Sequence, residues 1–192
     1  MLVEQLAQRL APSRTGSSFV PPADGQRRAA VAAVLHDEPA GPRVLLMKRT
    51  EREGDPWSGH ISLPGGGYQV DDADLLATAI RETHEELQID LAQTRYLGQL
   101  DPLHPRTAGP SGIEVTPFVF TTETAVETVC GAEALSAFWL PLEVATSGAL
   151  DGTHTYPGSA MSFPSWTYEG HVIWGLTLRI LIDVTSMAKR DV

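Results

Sequence analysis

One stretch in the first half of the chain constrains the fold more than any other. The apolar residues between positions 74 and 87 recur at the spacing of one helical face, which predicts an α-helix. At about 100° per residue, Glu85 and Glu86 both lie within about 60° of Glu82, one on either side. The residues of a separate stripe are expected to face a core: Leu76, Ala79, Ile80, Thr83 and Leu87. Such a helix must pack one side and present three acids on the other.

The three glutamates predict either a solvated acidic surface or a metal site. Like charges three and four residues apart repel each other at a cost of a few tenths of a kcal/mol per pair. A divalent cation bound between them would make the arrangement favourable instead. Glutamate is also a good helix former, so a plain charged surface is the alternative, with Arg81 pairing with Glu85. Ligand sets made only of carboxylate oxygens suit Mg²⁺ or Mn²⁺.

The residues before this helix also favour a binding site. Residues 63–67 read Leu-Pro-Gly-Gly-Gly, which is either a flexible turn or a backbone that approaches a ligand or metal without Cβ atoms. Asp71 or Asp72 is expected to cap the helix, and Asp74 also suits the positive end of its dipole.

This combination resembles the signature of the Nudix hydrolases, G-x5-E-x7-R-E-U-x-E-E-x-G-U, in which U is aliphatic. After Gly67, the segment from Arg81 to Ile89 reads Arg-Glu-Thr-His-Glu-Glu-Leu-Gln-Ile. The signature's first Glu, an aliphatic residue and the second Gly are replaced here by Ala73, Thr83 and Gln88. The Arg-Glu-x-x-Glu-Glu part is intact.

Other segments are similar to the coenzyme A pyrophosphatase branch of that family. Asp72 occupies the place of an Asp that replaces the first Glu in the longer loop of this branch. Segment 49–60 keeps Arg49 and Gly59 but lacks the basic L-R-x-H element of the branch. The similar segments are 59–66 (GHISLPGG), 107–119, 138–142 (FWLPL) and 173–177 (IWGLT).

The resemblance implies an α/β fold, an α/β/α sandwich around a mixed β-sheet. The segment 13–26 is rich in Pro, Gly and Ser and is expected to be a connector, so the chain divides into an N-terminal helix and connector, residues 1–26, and a Nudix hydrolase domain, residues 27–192. Hydrophobic patterning agrees with mixed α/β structure. It predicts a helix over 2–10, strands over 28–36, 43–48, 61–63, 94–100, 113–121 and 138–140, and a final helix over 172–184.

The resemblance also implies a reaction: hydrolysis of the phosphoanhydride bond in a nucleoside diphosphate linked to another group, coenzyme A or a derivative being the expected substrate. Mg²⁺ or Mn²⁺ would be held by Glu82, Glu85 and Glu86, with the carbonyl of Gly67 as an extra ligand. Arg81 would hold the carboxylates in place.

Several further residues are candidates for substrate binding. Arg49 and Arg106 would donate to phosphate, or are surface arginines. Trp57 would stack on adenine or pack against the core, and Glu133 is a distant catalytic acid or an exposed loop residue. The substrate-binding set is Arg49, Gly65, Gly66, His60 and Arg106.

Two alternatives to the coenzyme A hypothesis stay open. The first is another Nudix substrate, namely ADP-ribose, a nucleoside diphosphate sugar or a nucleoside triphosphate. The second is a nucleotide-binding module that keeps the fold and lacks catalysis. A zinc protease is excluded because Gln88 stands where the H-E-x-x-H motif begun by His84 and Glu85 needs its second histidine.

The composition of the chain limits the kinds of partner that it can bind. The chain has 192 residues, with 24 acids against 14 Lys and Arg and a net charge of −10. Such an acidic surface repels a phosphate backbone, so no nucleic-acid partner is expected. The single cysteine allows no internal disulfide, and no apolar run approaches the length of about 20 residues that spans a membrane. We expect a cytoplasmic enzyme. Because members of the resembled family often form dimers, a homodimer is the expected assembly.

Overall fold

A computed structural model describes residues 2–10, 20–23, 26–54, 57–105, 112–124, 126–155 and 160–189. Over these residues the chain forms four α-helices and ten β-strands, with a 3-10 turn at Leu91–Gln93. The helices are α1 (Leu2–Arg9), α2 (Leu75–Leu87), α3 (Leu142–Thr146) and α4 (Gly175–Lys189). The strands are β1 (Arg28–Glu38), β2 (Gly41–Arg49), β3 (Ile61–Ser62), β4 (Gly65–Gly67), β5 (Arg95–Gln99), β6 (Glu114–Thr122), β7 (Ala134–Pro141), β8 (Asp151–Thr155), β9 (Ser162–Tyr168) and β10 (His171–Trp174).

Strand β1 is the centre of a mixed sheet. It pairs antiparallel with β2 through a tight turn and antiparallel with β4. On its other side it runs parallel to β6 over nine residue pairs, from Arg28 opposite Glu114 to His36 opposite Thr122. The order β3-β2-β1-β6-β5 is completed by β7, which pairs with β2, while β8, β9 and β10 form a separate antiparallel sheet.

Alternation along the buried strands divides the core into two layers. Ala32 and Val34 of β1 pack on the side of α2, and Ala33 and Leu35 pack on the opposite side with α1 and α4. Successive side chains of a strand point to opposite faces, so helices cover both faces of the central sheet. The predicted α/β/α sandwich around a mixed sheet is therefore confirmed.

The N-terminal helix belongs to this packing. Leu6 is completely buried and joins the core cluster that contains Leu181 of α4. The proposed division of the chain at residue 26 stays a prediction. None of the helices in the described residues is both long enough and apolar enough to cross a bilayer.

Two element predictions were wrong in part, and one sheet was missed. The segment predicted as one helix from residue 172 begins as a strand, because residues 171–174 pair with β9, and α4 starts only at Gly175. The glycines 65–67 form strand β4 against β1 rather than a turn. The sheet β8–β10 was not predicted at all.

Candidate active site

Helix α2 begins at an acid, although not at the expected one. The Asp74 side chain accepts a hydrogen bond from the backbone N–H of Ala77 at 2.8 Å, which caps the helix. Asp71 or Asp72 was expected in this role. Asp72 instead turns back toward the middle of the helix, where its buried carboxylate accepts from the Thr78 hydroxyl at 2.8 Å.

Arg81 connects the loop before α2 with the acidic face of the helix. Its guanidinium donates to both oxygens of Asp72, at 2.8 and 2.9 Å, in the two-pronged geometry that favours strong pairing. The same group donates to Glu82 at 2.8 Å, to Glu85 at 3.3 Å and to the carbonyl of Gly67 at 3.2 Å. The guanidinium lowers the pKa of Asp72 to about 2. Arg81 thus lies where it can orient two of the three predicted metal ligands.

Glu86 is the most unusual side chain of the helix, with 1 % exposure. Its Oε2 accepts a hydrogen bond from the backbone N–H of Gly65 at 2.8 Å. Its Oε1 is buried and has no hydrogen-bond partner among the described residues. Burial raises the pKa of this carboxyl to about 8, even though the positive charge of Arg49 acts in the opposite direction. A buried polar oxygen without a hydrogen-bond partner is rare in a folded protein.

Glu82 lies against the glycine strand. Burial raises its pKa, and Arg81 acts against that rise. A Cβ atom placed on Gly66 would stand 2.5 Å from the Glu82 carboxyl group, so a larger residue there would push this carboxylate from its present position. The close approach that the sequence predicted for a ligand is made here by a side chain of the protein itself.

The three acids share one helix face, as predicted, but the described residues contain no ready-made group of three metal-ligating side chains. Glu82 and Glu85 are held by Arg81, Glu86 by Gly65, because each carboxylate takes the nearest strong donor. The donor set nevertheless fits a divalent cation such as Mg²⁺ or Mn²⁺, since it consists of carboxylate oxygens, one of them buried and unpartnered. The carbonyl of Gly67, the expected extra ligand, faces Arg81.

A second loop closes over the end of α2 and brings Glu133 near the acids. The N–H of Val129 donates to the carbonyl of Leu87 at 3.1 Å, and the N–H of Gly131 to that of Glu86 at 2.8 Å. Glu133 then lies near enough for its charge to help raise the pKa values of both Glu82 and Glu86.

The same loop is fixed to the segment after β2. The N–H of Thr50 donates to the Glu133 carbonyl at 2.9 Å, and Arg52 forms an ion pair with the Glu133 carboxylate at 3.1 Å. Sequence reasoning singled out Glu133 but missed Gly131 and Arg52. No spacing rule connects residues 50–52 with 131–133, and only the tertiary fold brings them together.

The expected substrate-binding residues are distributed around this centre. Arg49 ends β2 close enough to Glu86 to lower its pKa. The N–H of Arg49 donates to the carbonyl of His60, and the His60 ring packs edge-on against Trp174 with centroids 5.2 Å apart. Trp57 is 40 % exposed, which argues against the core-packing alternative. Arg106 lies outside the described residues.

Comparison with known proteins decides the family. A family model described as "NUDIX domain" matches residues 26–158, which is more than half of the chain. The chain belongs to the Nudix family. Curated Nudix relatives include the "Uncharacterized Nudix hydrolase NudL" of Yersinia pestis and of Yersinia pseudotuberculosis. Each is 34 % identical over 160 residues, which cover 81 % of this chain and 76 % of the relative.

Solved Nudix structures share the fold at lower identity. A Nudix hydrolase from Alicyclobacillus acidocaldarius matches with a TM-score of 0.56 and 18 % identity, covering 86 % of this chain and 93 % of the other. An Ap4A hydrolase from C. elegans matches with a TM-score of 0.54 and 20 % identity, covering 63 % and 84 %. As a Nudix hydrolase, the protein is a pyrophosphohydrolase, of a class that acts on small nucleotides and generally needs a divalent metal ion.

Proposed function

We propose that this Nudix hydrolase cleaves the phosphoanhydride bond of a nucleoside diphosphate linked to another group, with coenzyme A or a derivative as substrate and Mg²⁺ or Mn²⁺ as cofactor. The observation that carries the metal-dependent part is the buried carboxylate of Glu86, whose Oε1 has no partner among the described residues. Burial raises the pKa of this carboxyl, because a buried carboxylate is costly to ionise unless a positive charge accompanies it.

In this proposal Glu82, Glu85 and Glu86 hold the metal, and the carbonyl of Gly67 is an additional ligand. When bound, the metal supplies charge neutralisation for the diphosphate and lowers the pKa of a water molecule. Arg81 orients Glu82 and Glu85 through its hydrogen bonds to both.

One further group must take the proton of the attacking water. Glu133 is positioned by the loop that caps α2, at the edge of the acidic face. Either Glu133 or one of the three helix acids is therefore the general base.

Arg49 provides the positive charge on the substrate side of the centre. It ends β2 near Glu86, where a guanidinium can donate two hydrogen bonds to a phosphate group. The backbones of Gly65 and Gly66, His60 and Arg106 complete the proposed substrate contacts. Trp57 is exposed enough to stack on a base.

The assignment to coenzyme A rests on segments that resemble that branch, and two of these segments meet in space. The hydroxyl of Thr177, in segment 173–177, donates to the carbonyl of Ile61 in segment 59–66 at 3.1 Å. In the same contact Trp174 packs against His60. Residues more than a hundred positions apart thus build one structure beside β3, which supports treating them as parts of a common substrate site.

ADP-ribose, a nucleoside diphosphate sugar and a nucleoside triphosphate are the alternative substrates. They are favoured by the loss of the basic element after Arg49, where Arg52 is paired with Glu133. A panel of these compounds with coenzyme A, each incubated with Mg²⁺ or Mn²⁺ and analysed by mass spectrometry, decides among them. We expect cleavage of coenzyme A into two phosphate-containing products.

The mechanism is tested by changing single acids. Glu85→Gln and Glu86→Gln should each lower kcat/KM by at least about a hundredfold, because each removes a carboxylate that is proposed to hold the metal ion. Glu127→Gln, an exchange outside the proposed site, should retain the full rate. A folded Glu86→Gln protein with unchanged activity would contradict the proposal. Metal binding without turnover of any compound would favour the non-catalytic binding module.

The proposal places the enzyme in the cytoplasm as a homodimer. Its one cysteine, Cys130, is a free and exposed thiol, which suits a reducing compartment. Light scattering of the purified protein and fractionation of the source cells test the two statements separately.

A further inference from the structure

Strand β3 places Ser62 on the same face of the sheet as the acids of α2. Its neighbours Ile61 and Leu63 both belong to the core cluster on the opposite side, with α1 and α4. Because alternate residues of an extended chain point to opposite faces, Ser62 points to the α2 side. Its partner across the strands, Met47, belongs to the α2-side core.

The Ser62 hydroxyl shares an unusual property with Glu86. Its Oγ is buried and has no hydrogen-bond partner among the described residues, as is the case for Oε1 of Glu86. The two residues are joined through a short piece of backbone, because Glu86 accepts from the N–H of Gly65, three positions after Ser62. One unpartnered buried oxygen therefore lies in segment 62–65, on Ser62, and the other lies on Glu86, the carboxylate that Gly65 of this segment holds.

A purely structural role does not account for a hydroxyl at this position. A buried hydroxyl without a partner costs about 1–3 kcal/mol, and alanine would fill nearly the same volume without that cost. Unsatisfied buried polar groups are rare in folded proteins, and a catalytic role or a bound ion is among the explanations for them. Here the nearby function is the proposed metal site.

We propose that Ser62 is a positioning residue of that metal site, whose hydroxyl hydrogen-bonds to the ligand shell of the cation held by Glu86. The inference rests on the proposed function and extends it to a residue outside the helix. Groups that hydrogen-bond to metal ligands fix their orientation, and their loss typically weakens metal affinity by about tenfold or more.

The structural and positioning roles predict opposite results for Ser62→Ala. If Ser62 positions the metal shell, the metal-free variant has an unchanged or higher Tm, and its affinity for Mn²⁺ falls by about tenfold. If the serine only supports the strand, the Tm falls and the affinity for Mn²⁺ does not change. Ser62→Thr keeps the hydroxyl and should retain the affinity of the wild type.

The experiment is a titration with Mn²⁺ alone, in which the signal of free Mn²⁺ is followed by electron paramagnetic resonance. Thermal unfolding of each metal-free protein is recorded in parallel. Ser165→Ala is the matched control, because Ser165 is a buried serine of the separate β8–β10 sheet. We expect weaker binding in Ser62→Ala alone.

Wild-type affinity in Ser62→Ala, or an equal loss in Ser62→Thr or Ser165→Ala, would overturn the role of Ser62 and leave the proposed function intact. Failure of the wild-type protein to bind Mn²⁺ would overturn both.

Discussion

At the scale of single residues, burial and ionisation oppose each other in Glu86. Burial raises its pKa to about 8, so the carboxyl is largely protonated at neutral pH, whereas its proposed role as a metal ligand requires the ionised form. Cation binding must therefore displace this proton. We expect Mn²⁺ affinity to rise with pH up to about 8 and to level off above it.

The pH dependence is checked by measuring the Mn²⁺ dissociation constant at several pH values, together with the proton release in weakly buffered solution. Glu86→Gln has no proton to lose and serves as the control. Its remaining affinity should be lower and nearly independent of pH in this range. A wild-type affinity that is the same at about pH 6 and about pH 8 would contradict the assignment.

The pair of Asp72 and Arg81 predicts a different pH dependence, that of folding. Because the folded state lowers the pKa of Asp72 from 3.8 to about 2, this carboxylate stabilises the fold above its ordinary pKa. That contribution is lost as the pH falls toward 2. Asp72→Asn should reduce the free energy of unfolding by roughly 2 kcal/mol at neutral pH, because the buried group is now uncharged beside Arg81.

Urea denaturation at neutral pH and in the acid range measures this difference. The two proteins should converge in stability as the pH falls through the pKa of Asp72. Asp71→Asn is the control, since Asp71 is an exposed neighbour. A constant difference at every pH would mean that the charge of Asp72 contributes nothing.

Gln88 ends α2 in a conformation that favours glycine. Its φ of 56° and ψ of 31° lie in the left-handed region, and its N–H donates to the carbonyl of His84. This is the position where the Nudix signature has glycine, so the fold keeps the backbone turn despite the different side chain. Gln88→Gly should raise the free energy of unfolding by up to about 1 kcal/mol.

The gain should appear as a higher urea midpoint with an unchanged slope. Gln93→Gly, at the end of the 3-10 turn, should not stabilise, because none of the strain of the left-handed region is relieved there. A lower midpoint for Gln88→Gly would show that the glutamine side chain contributes more than its backbone costs.

At the scale of elements, the loop that follows β6 is fitted closely to the end of α2. A Cβ atom on Gly131 would stand 2.2 Å from the carbonyl oxygen of Glu85, a distance that real contacts do not reach. Gly131→Ala must therefore push the loop away and carry Glu133 with it. If Glu133 has its proposed role as general base, kcat should fall at least about tenfold, because a displaced catalytic group acts poorly even where binding persists.

Gly170→Ala is a useful comparison, since no atom stands within 4 Å of a Cβ at that glycine, although its φ of +79° adds backbone strain. This variant should lose stability but keep its kcat. Measuring kcat and Tm together thus separates displacement of the site from general destabilisation. Equal kcat values in the two variants would exclude a positioning role for the loop.

The regularity of the apolar pattern in each element determined whether the sequence could predict that element. Helix α2 and the longer strands of the central sheet, β1, β2 and β6, have regular apolar patterns, so their existence and faces followed from periodicity. The burial of Glu86 did not follow, because it depends on strand β4, whose three glycines carry no pattern. Three acids precede α2, and spacing alone could not select Asp74 as its cap.

The second sheet was hidden for a related reason. Strand β8 is almost entirely exposed, and its Asp-Gly-Thr-His-Thr sequence has no alternation of apolar and polar residues. Strand β10 merges in sequence with the apolar start of α4, so the two were predicted as one helix.

At the scale of the whole molecule, the N-terminal helix closes one layer of the core. Leu6 is completely buried between the sheet and α4. Leu6→Ala should lower the free energy of unfolding by about 2–5 kcal/mol, as expected for a cavity in a packed core. Activity at low temperature should persist, because Leu6 lies on the layer opposite to α2.

Leu135→Ala is the control for this experiment, since that leucine is 57 % exposed. Its unfolding free energy should change by less than about 0.5 kcal/mol. An equally small change for Leu6→Ala would mean that α1 contributes little to the stability of the domain.

The parallel pairing of β1 with β6 affects how the protein can be made. A ribosome has synthesised every glutamate of α2 by residue 87, but the strand that flanks β1 on its far side is complete only at residue 122. Contacts between such distant segments form late, so the nascent chain contains its acidic helix before β6 has joined the central sheet. A chain cut short between these two points would carry all three helix acids but would lack β6, the parallel neighbour of β1 in the central sheet.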